Sequence, residues 1–414
     1  MTKSERDIRE TGSTSQAELA AFSRYKWSTF VCMYIGYLMT MFSRKSFSFV
    51  LPAVMEEGHI TKGELGMITS SQNLAYAISK FLGGLMVDHF SAKLLFSAGI
   101  CLFPAAVSSL SQWSEKSEFG TLWGVLSTSM NVACSTGPLV STFITYQYGW
   151  RTTLQAFGTV TIATTAVCYI GMVNSPNDVG MKSPMGETTK TDSGRGHGRG
   201  SWQDLIYSRL LWILSVNFMV IFIARTAILD WAQLYLIEEL DQTAYTASMF
   251  VSSFETGGIV GSILAGYVAD KLVALKKGDD LRGSPRTDVC IAFIAVCLLS
   301  LATLIYIPQD LIQSWITVVG CALGFGIYGP CSLYGVMAIE AAPTHLAGAT
   351  HATVALAANV GAVMAGFPIS YVASHILWRG AFIVVEVLLA LIFVLNVVTR
   401  SLEYKILTTR KKLD

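Results

Sequence analysis

Long apolar runs, broken by short polar stretches, set the pattern of this chain. Runs of helix length lie near residues 27–54, 64–87, 92–111, 120–147, 150–173, 209–237, 246–270, 288–307, 314–340, 346–374 and 378–400. Each is apolar on most sides and does not alternate residue by residue, so the pattern predicts helices and not barrel strands. Eleven spans of this length predict an all-α polytopic membrane protein, because only helices or closed barrels satisfy their backbone groups in lipid. Residues 174–204 read NSPNDVGMKSPMGETTKTDSGRGHGRGSWQD and are expected to be a flexible polar linker. The expected organisation is a tail over 1–26, a first membrane bundle over 27–173, a linker over 174–208, a second bundle over 209–400 and a tail over 401–414.

Lysine and arginine then set the sidedness. They cluster at Lys3, Arg6, Arg9, Arg24 and Lys26, in the central linker, at Lys271, Lys276, Lys277, Arg282 and Arg286, and in the tail from Arg400 onward. All four clusters are expected on the cytoplasmic side. Five spans, however, separate the N-terminus from the linker, and an odd number of crossings ends on the opposite side. One crossing is therefore expected to be missing from the first bundle.

An internal repeat locates the gap. Ala75, Ser79, Gly83, Gly84 and Asp88 recur as Gly257, Gly261, Ala265, Gly266 and Asp270, all at one constant offset. Small residues at this spacing make a helix-packing face. Farther on, Asn131 matches Asn359 and Trp150-Arg151 matches Trp378-Arg379, at a larger offset that is again constant. The second half thus carries 46 more positions between these landmarks (359 less 131, against 257 less 75). A span of about 20 residues with its loops accounts for that. The first half is expected to lack one span near 109–119, and a parent of 6 + 6 helices restores the parity.

Composition narrows the functional classes. The chain is 52% hydrophobic and 14% charged, with a net charge of +1, which gives no reason to expect nucleic acid. The segment ahead of Tyr25 is polar, so no cleaved leader is expected. The eight cysteines all fall in apolar runs without a C-x-x-C pair, so neither a metal nor a disulfide is expected. No nucleotide, metal or nucleophile motif is present, and no cofactor or enzymatic activity is expected. His351 has no paired nucleophile or metal set to serve as a base.

The informative residues are charges inside apolar runs. Arg44 and Lys45 interrupt the run from Trp27, with Arg44 roughly 26 Å along the helix, in a hydrocarbon layer about 30 Å thick. A charge at that depth costs at least about 2.5–3.5 kcal/mol unless it meets water or a counter-charge. Arg225 interrupts the first span of the second half in the same way. Two such arginines, on pseudo-symmetric first helices, suit an anion between them, and phosphate matches the guanidinium fork. For Arg225 the alternative is Asp230, five residues on, as a partner on its own helix. Lys45 lies about 100° from Arg44 around the helix and either lines the same cavity or faces a neighbouring helix. Tyr37, on the face of Arg44, is either a donor to a sugar hydroxyl or a packing residue. His351 is either a substrate or gating residue or a packing one. Lys80, Glu255, Glu340 and Glu386 are expected to be paired or interfacial.

The stretches FSRKSFSFVLP, GELGMITSSQNLAYAISKFLGGLMVD, FGTLWGVLSTSMN, GWRTTL, ILDWAQLYLIEE, GIYGP and THATVALAANVG occur in order across residues 25–400. Together they resemble the major facilitator superfamily, in particular its organophosphate:phosphate antiporters and, among these, solute carrier family 37. The resemblance implies two pseudo-symmetric bundles. It also implies exchange of glucose 6-phosphate for inorganic phosphate across the endoplasmic reticulum membrane by alternating access. It gives Arg44 and Arg225 to the phosphoryl group and supporting roles to Lys45 and His351. It implies multi-pass membrane residence with cytoplasmic termini in the twelve-helix parent, a dilysine ending at Lys411-Lys412-Leu413-Asp414, and functional coupling to a lumenal glucose-6-phosphatase. The sequence departs from the family where SSLSQWSEKSEFGTLW runs straight from the third span into the segment resembling the fifth helix. The alternatives are exchange of another organophosphate, or a transport-inactive sensor or splice isoform.

Overall fold

Eleven α-helices and no strand occur among the described residues. The computed structural model describes residues 3–58, 60–86, 91–97, 113, 116–174, 176–180, 208–275, 285–306, 309–341 and 347–400. In chain order the helices are α1 (Lys3–Gly58), α2 (Lys62–Met86), α3 (Ala92–Ser97), α4 (Lys116–Tyr148), α5 (Trp150–Gly171), α6 (Arg209–Glu238), α7 (Ala244–Leu275), α8 (Pro285–Tyr306), α9 (Gln309–Ala341), α10 (Ala347–Met364) and α11 (Phe367–Thr399). Six helical stretches among them are long and apolar enough to cross a membrane: α5, α6, α7, α8, Trp315–Ala341 and Thr350–Thr399. The expected linker, the C-terminal tail, Asp88 and most of the segment around the expected gap lie outside the described residues.

Two helices differ from the expected spans. α1 runs back through the polar tail as far as Lys3. The expected span 346–374 is broken: α10 stops at Met364 and α11 restarts at Phe367. Gly366 precedes the restart and Pro368 sits in its first turn, where a missing N–H does no harm. α11 is itself kinked at Ile376 and Leu377, and Leu377 has φ 67° and ψ 169°. That is strained backbone for a branched side chain, worth about 1–3 kcal/mol.

The described residues form two compact units. The first draws on 1–44, 78–133 and 155–195, the second on 45–77, 134–154 and 196–414. In the first unit α1 packs on α5 through small residues. A Cβ on Gly36 would stand 3.0 Å from the Cys168 sulfur, and one on Gly171 2.8 Å from the Cys32 sulfur. The Cys168 thiol donates to the Cys32 carbonyl at 3.2 Å, and Ser28 Oγ to the Gly171 carbonyl at 3.1 Å.

In the second unit the closest packing is α7 on α9. A Cβ on Gly257 would lie 2.0 Å from the Cys321 carbonyl oxygen, and one on Gly324 1.8 Å from that of Phe254. Backbones this close leave no room for a side chain, the usual way of gaining contact between helices in lipid. α6 is buried on nearly every side, from Leu211 to Leu236, as a helix apolar all round must be when it occupies a core. This puts polar residues such as Asn217, Asp230 and Gln233 inside the unit, with Arg225 largely covered.

Candidate functional site

The second unit brings two cations and two carboxylates onto α1, α6 and α7. Arg225, midway along α6, donates through an Nη to the Tyr328 hydroxyl of α9 at 2.7 Å. The same hydroxyl donates to Glu255 Oε1 of α7 at 2.6 Å. The guanidinium stands 4.0 Å from Glu255 and lies 4.6 Å from the Tyr328 ring centre. Phe254 meets the Tyr328 ring edge-on at 5.8 Å, and Gly258 leaves room for that ring. The Arg–Tyr–Glu relay is thus held by α7 and α9, the tightest helix pair of the unit.

Lys45 Nζ donates to Asp230 Oδ1 at 2.8 Å, and Ser48 Oγ to the same oxygen at 3.0 Å. In sequence, Asp230 is the alternative partner for Arg225. The structure gives Asp230 to Lys45 and gives Arg225 to Glu255. Five residues along a helix is poor spacing for a pair, and the neighbouring helices supply better ones. Lys45 thus meets α6 through Asp230.

Several polar atoms of this cluster have no hydrogen-bond partner among the described residues although they are buried: Arg225 Nε, Asp230 Oδ2 and Glu255 Oε2. A buried polar atom without a partner costs about 1–3 kcal/mol, more when charged. Of the three, the Arg225 Nε–H is left to donate and the two carboxylate oxygens are left to accept. A cavity of about 680 Å³ lies farther along α6 in the same unit, with Phe49, Thr142, Gln233, Glu238 and Ser248 in its wall. Thr142 and Ser248 hydroxyls meet at 2.6 Å, and Gln233 donates to Ser248 at 3.1 Å.

The other expected residues are placed as follows. Arg44 and Tyr37 lie on the part of α1 in the first unit, Tyr37 buried and Arg44 half-buried. His351 is exposed on α10, its Nδ1 3.2 Å from the Gly335 carbonyl. Glu340 pairs with Arg286 at 2.7 Å, and Asp270 takes the same arginine at 2.9 Å. Tyr328 and Ser48 were missed. Nothing local marks Ser48, and Tyr328 is an aromatic in a glycine run with no sign of its partners. Glu255 had a signal, since an acid within an apolar span requires a cation. Among the described residues no group of three or more His, Cys, Asp or Glu is placed to hold a metal.

A second polar cluster lies at helix ends. Glu57, at the end of α1, accepts from the Trp150 indole and pairs with Arg151 at 2.6 Å. These contacts hold its carboxyl below the usual carboxylate range, the Arg151 hydrogen bond contributing most. Glu238, at the end of α6, accepts from the Trp378 indole at 2.8 Å and pairs with Lys62 at 2.6 Å. Glu239 accepts the backbone N–H groups of Trp378 and Arg379, which holds the strained turn at Leu377.

The profile of the Major Facilitator Superfamily matches residues 33–103 and 98–366. Membrane sensor protein UhpC of Salmonella typhimurium is 27% identical over 90% of this chain and 91% of its own length. A probable hexose phosphate transport protein of Chlamydia pneumoniae is 28% identical over 86% of each chain. The glycerol-3-phosphate transporter of Haemophilus influenzae is 24% identical over 88% of this chain and 89% of its own. In fold, the chain is similar to a bacterial homologue of the human lysosomal transporter Spinster, in an inward-facing and unoccupied conformation. The TM-score is 0.72 at 11% identity, covering 91% of this chain and 98% of that one.

Proposed function

The chain belongs to the major facilitator superfamily, and we propose that it carries an organophosphate across a membrane in exchange for inorganic phosphate. It is a multi-pass membrane protein and not an enzyme. The organophosphate:phosphate antiporters, the branch it resembles in sequence, agree with relatives named for hexose phosphate and glycerol 3-phosphate. Glucose 6-phosphate is the proposed cargo and the endoplasmic reticulum membrane the proposed location. A lumenal phosphatase acting on the imported sugar phosphate would supply the phosphate that leaves.

One observation carries this reading: the Arg225 side chain, 13% exposed inside a membrane helix, keeps a buried Nε with no hydrogen-bond partner among the described residues. A phosphoryl group offers oxygens that accept from a guanidinium in pairs, a match to the planar arginine fork. On this account Arg44 is the second phosphoryl ligand, with Lys45, Tyr37 and His351 in supporting roles. The neutral pairing of Arg225 with Glu255, and of Lys45 with Asp230, is the resting state from which an anion competes for the cations.

The test is exchange in proteoliposomes. Uptake of labelled phosphate is expected into vesicles loaded with phosphate or glucose 6-phosphate and not into empty ones. Equal uptake into empty vesicles contradicts exchange. Since two of the relatives are named as membrane sensors, a sensor is the second reading. It predicts phosphate binding by the purified protein with no exchange.

A further inference from the structure

The cavity of about 680 Å³ in the second unit lies where helices end. Glu56, Tyr146 and Glu238 in its wall sit within the last turns of α1, α4 and α6, and α7 begins there at Ala244. Three helix C-termini thus bring the negative ends of their dipoles to this place, against one N-terminus. Among the described residues its wall holds two carboxylates, Glu56 and Glu238, and no lysine, arginine or histidine. Its Gln233 follows Arg225 by eight residues, about 12 Å along α6.

The hydroxyl protons of the wall are largely spent. Ser248 donates to the Ala244 carbonyl at 2.8 Å, so at its 2.6 Å contact with Thr142 it accepts. Thr153 donates to the Gly149 carbonyl, so Thr145 donates to Thr153 at 2.9 Å. The Tyr146 hydroxyl and the second amide hydrogen of Gln233 are left to donate.

Acceptors are left over. Gln233 is 3% exposed and makes one hydrogen bond, through Nε2 to Ser248, so its carbonyl oxygen has no partner among the described residues. Glu238 takes both the Trp378 indole and the Lys62 ammonium on Oε2, which leaves Oε1 without one. Glu56 is exposed and unpaired among the described residues, whereas its neighbour Glu57 is clamped by Trp150 and Arg151.

We propose that this cavity binds an amphipathic organic amine, its ammonium donating to Gln233 Oε1, Glu238 Oε1 and Glu56 and its apolar body lying on Phe49, Leu234 and Ile237. The three donors of an ammonium match the free acceptors. Lys62 offsets one of the two carboxylates, and one negative charge remains for the ligand. The volume suits a small organic molecule, and the wall pairs apolar side chains with a few polar groups as such sites do. A phosphate or sugar phosphate would meet carboxylates and no cation here. A neutral polyol would leave the charge and the apolar wall unanswered. The site is thus separate from the phosphoryl site, and it does not depend on whether the chain transports.

Three probes with one apolar body test the charge: phenylbutylamine, phenylbutanol and phenylbutyrate, each added to the detergent-purified protein at neutral pH in thermal unfolding. A ligand that binds only the folded state raises the melting temperature. The amine is expected to raise it by a few degrees, the alcohol by less and the acid not at all. Glu56→Gln is expected to lose most of the rise with the amine, and Ala53→Trp, which fills the cavity from its wall, all of it. Both variants carry the same detergent, so partition of the probe into micelles cancels. No rise with the amine, or an equal rise with the alcohol or the acid, overturns the proposal. So does a rise with the amine that is undiminished in either variant. Should one variant fail to fold, the other decides.

Discussion

Arg225 and Glu255 stand 4.0 Å apart, and the Tyr328 hydroxyl bridges them, accepting from the arginine and donating to the carboxylate. Glu255 supplies the counter-charge to the guanidinium, whose Nε has no hydrogen-bond partner among the described residues. Tyr328→Phe keeps the ring and removes the bridge. One hydrogen bond to a charged group is worth about 1.5–3 kcal/mol, so phosphate exchange is expected to fall by about tenfold or more. An unchanged rate contradicts the positioning role.

Glu255→Gln leaves Arg225 without its carboxylate. Breaking a buried pair by removing one partner costs about 3–5 kcal/mol. A bound anion would replace the lost charge, so phosphate is expected to raise the melting temperature of this variant more than that of the parent. Thermal unfolding in detergent, with and without phosphate, measures the difference, and equal shifts count against anion binding beside Arg225.

Lys45→Met and Asp230→Asn are expected to destabilise singly and less than additively together, because each removes the partner that makes the other tolerable. A double-mutant cycle on melting temperature checks this. Additive losses would show that the contact between the two side chains contributes nothing to stability.

The clamp at Glu57 makes a pH prediction. Its folded pKa lies below the ordinary carboxylate value, about 4.3 for a free glutamate. The clamp therefore contributes stability above the unfolded value and loses it as pH falls through the folded one. The stability gap between the parent and Glu57→Gln should hold at neutral pH and close below about pH 4. A gap that widens on acidification contradicts the assignment.

The glycines of α7 divide into two kinds. Gly257 has the Cys321 carbonyl within 2.0 Å of any added Cβ, whereas Gly266 has nothing within 4 Å. Gly257→Ala is expected to destabilise by about 1–3 kcal/mol through overpacking. Gly266→Ala is expected to be neutral, or stabilising by up to about 1 kcal/mol through helix propensity. Parallel melts of the two variants distinguish them.

What could be read from the sequence follows from what lipid enforces. Apolar runs of span length had to be helices, and charges such as Arg225 inside them had to be accounted for. Pairing was not legible, because it depends on which helices meet. Asp230 was visible as a neighbour of Arg225 along the chain, but its cation comes from α1. The break at Gly366 was readable from Gly366 and Pro368, whereas the kink at Leu377 is held by Glu239 from another helix. The small-residue repeat marked Gly257 and Gly261 as a helix-packing face but not its partner, which the structure shows to be α9; in the first half, Gly83 and Gly84 of the same repeat lie among side chains not described. The expected gap near 109–119 rests on the repeat and the parity of crossings. Of that segment only Trp113 and the start of α4 are described, and the Trp113 indole donates to the Val173 carbonyl at 3.2 Å.

The central claim is that Arg225 reads the phosphoryl group common to both cargoes. The most direct measurement compares Arg225→Ala and Arg225→Lys in reconstituted vesicles, following phosphate:phosphate exchange and glucose 6-phosphate uptake side by side. Each charge-assisted bond lost is worth about 1.5–3 kcal/mol. The alanine variant is expected to abolish both activities, and the lysine variant to keep part of both, since it retains charge without the fork. Loss of sugar-phosphate uptake with phosphate exchange intact would contradict the claim, because Arg225 would then serve the sugar or the assembly and not the phosphate.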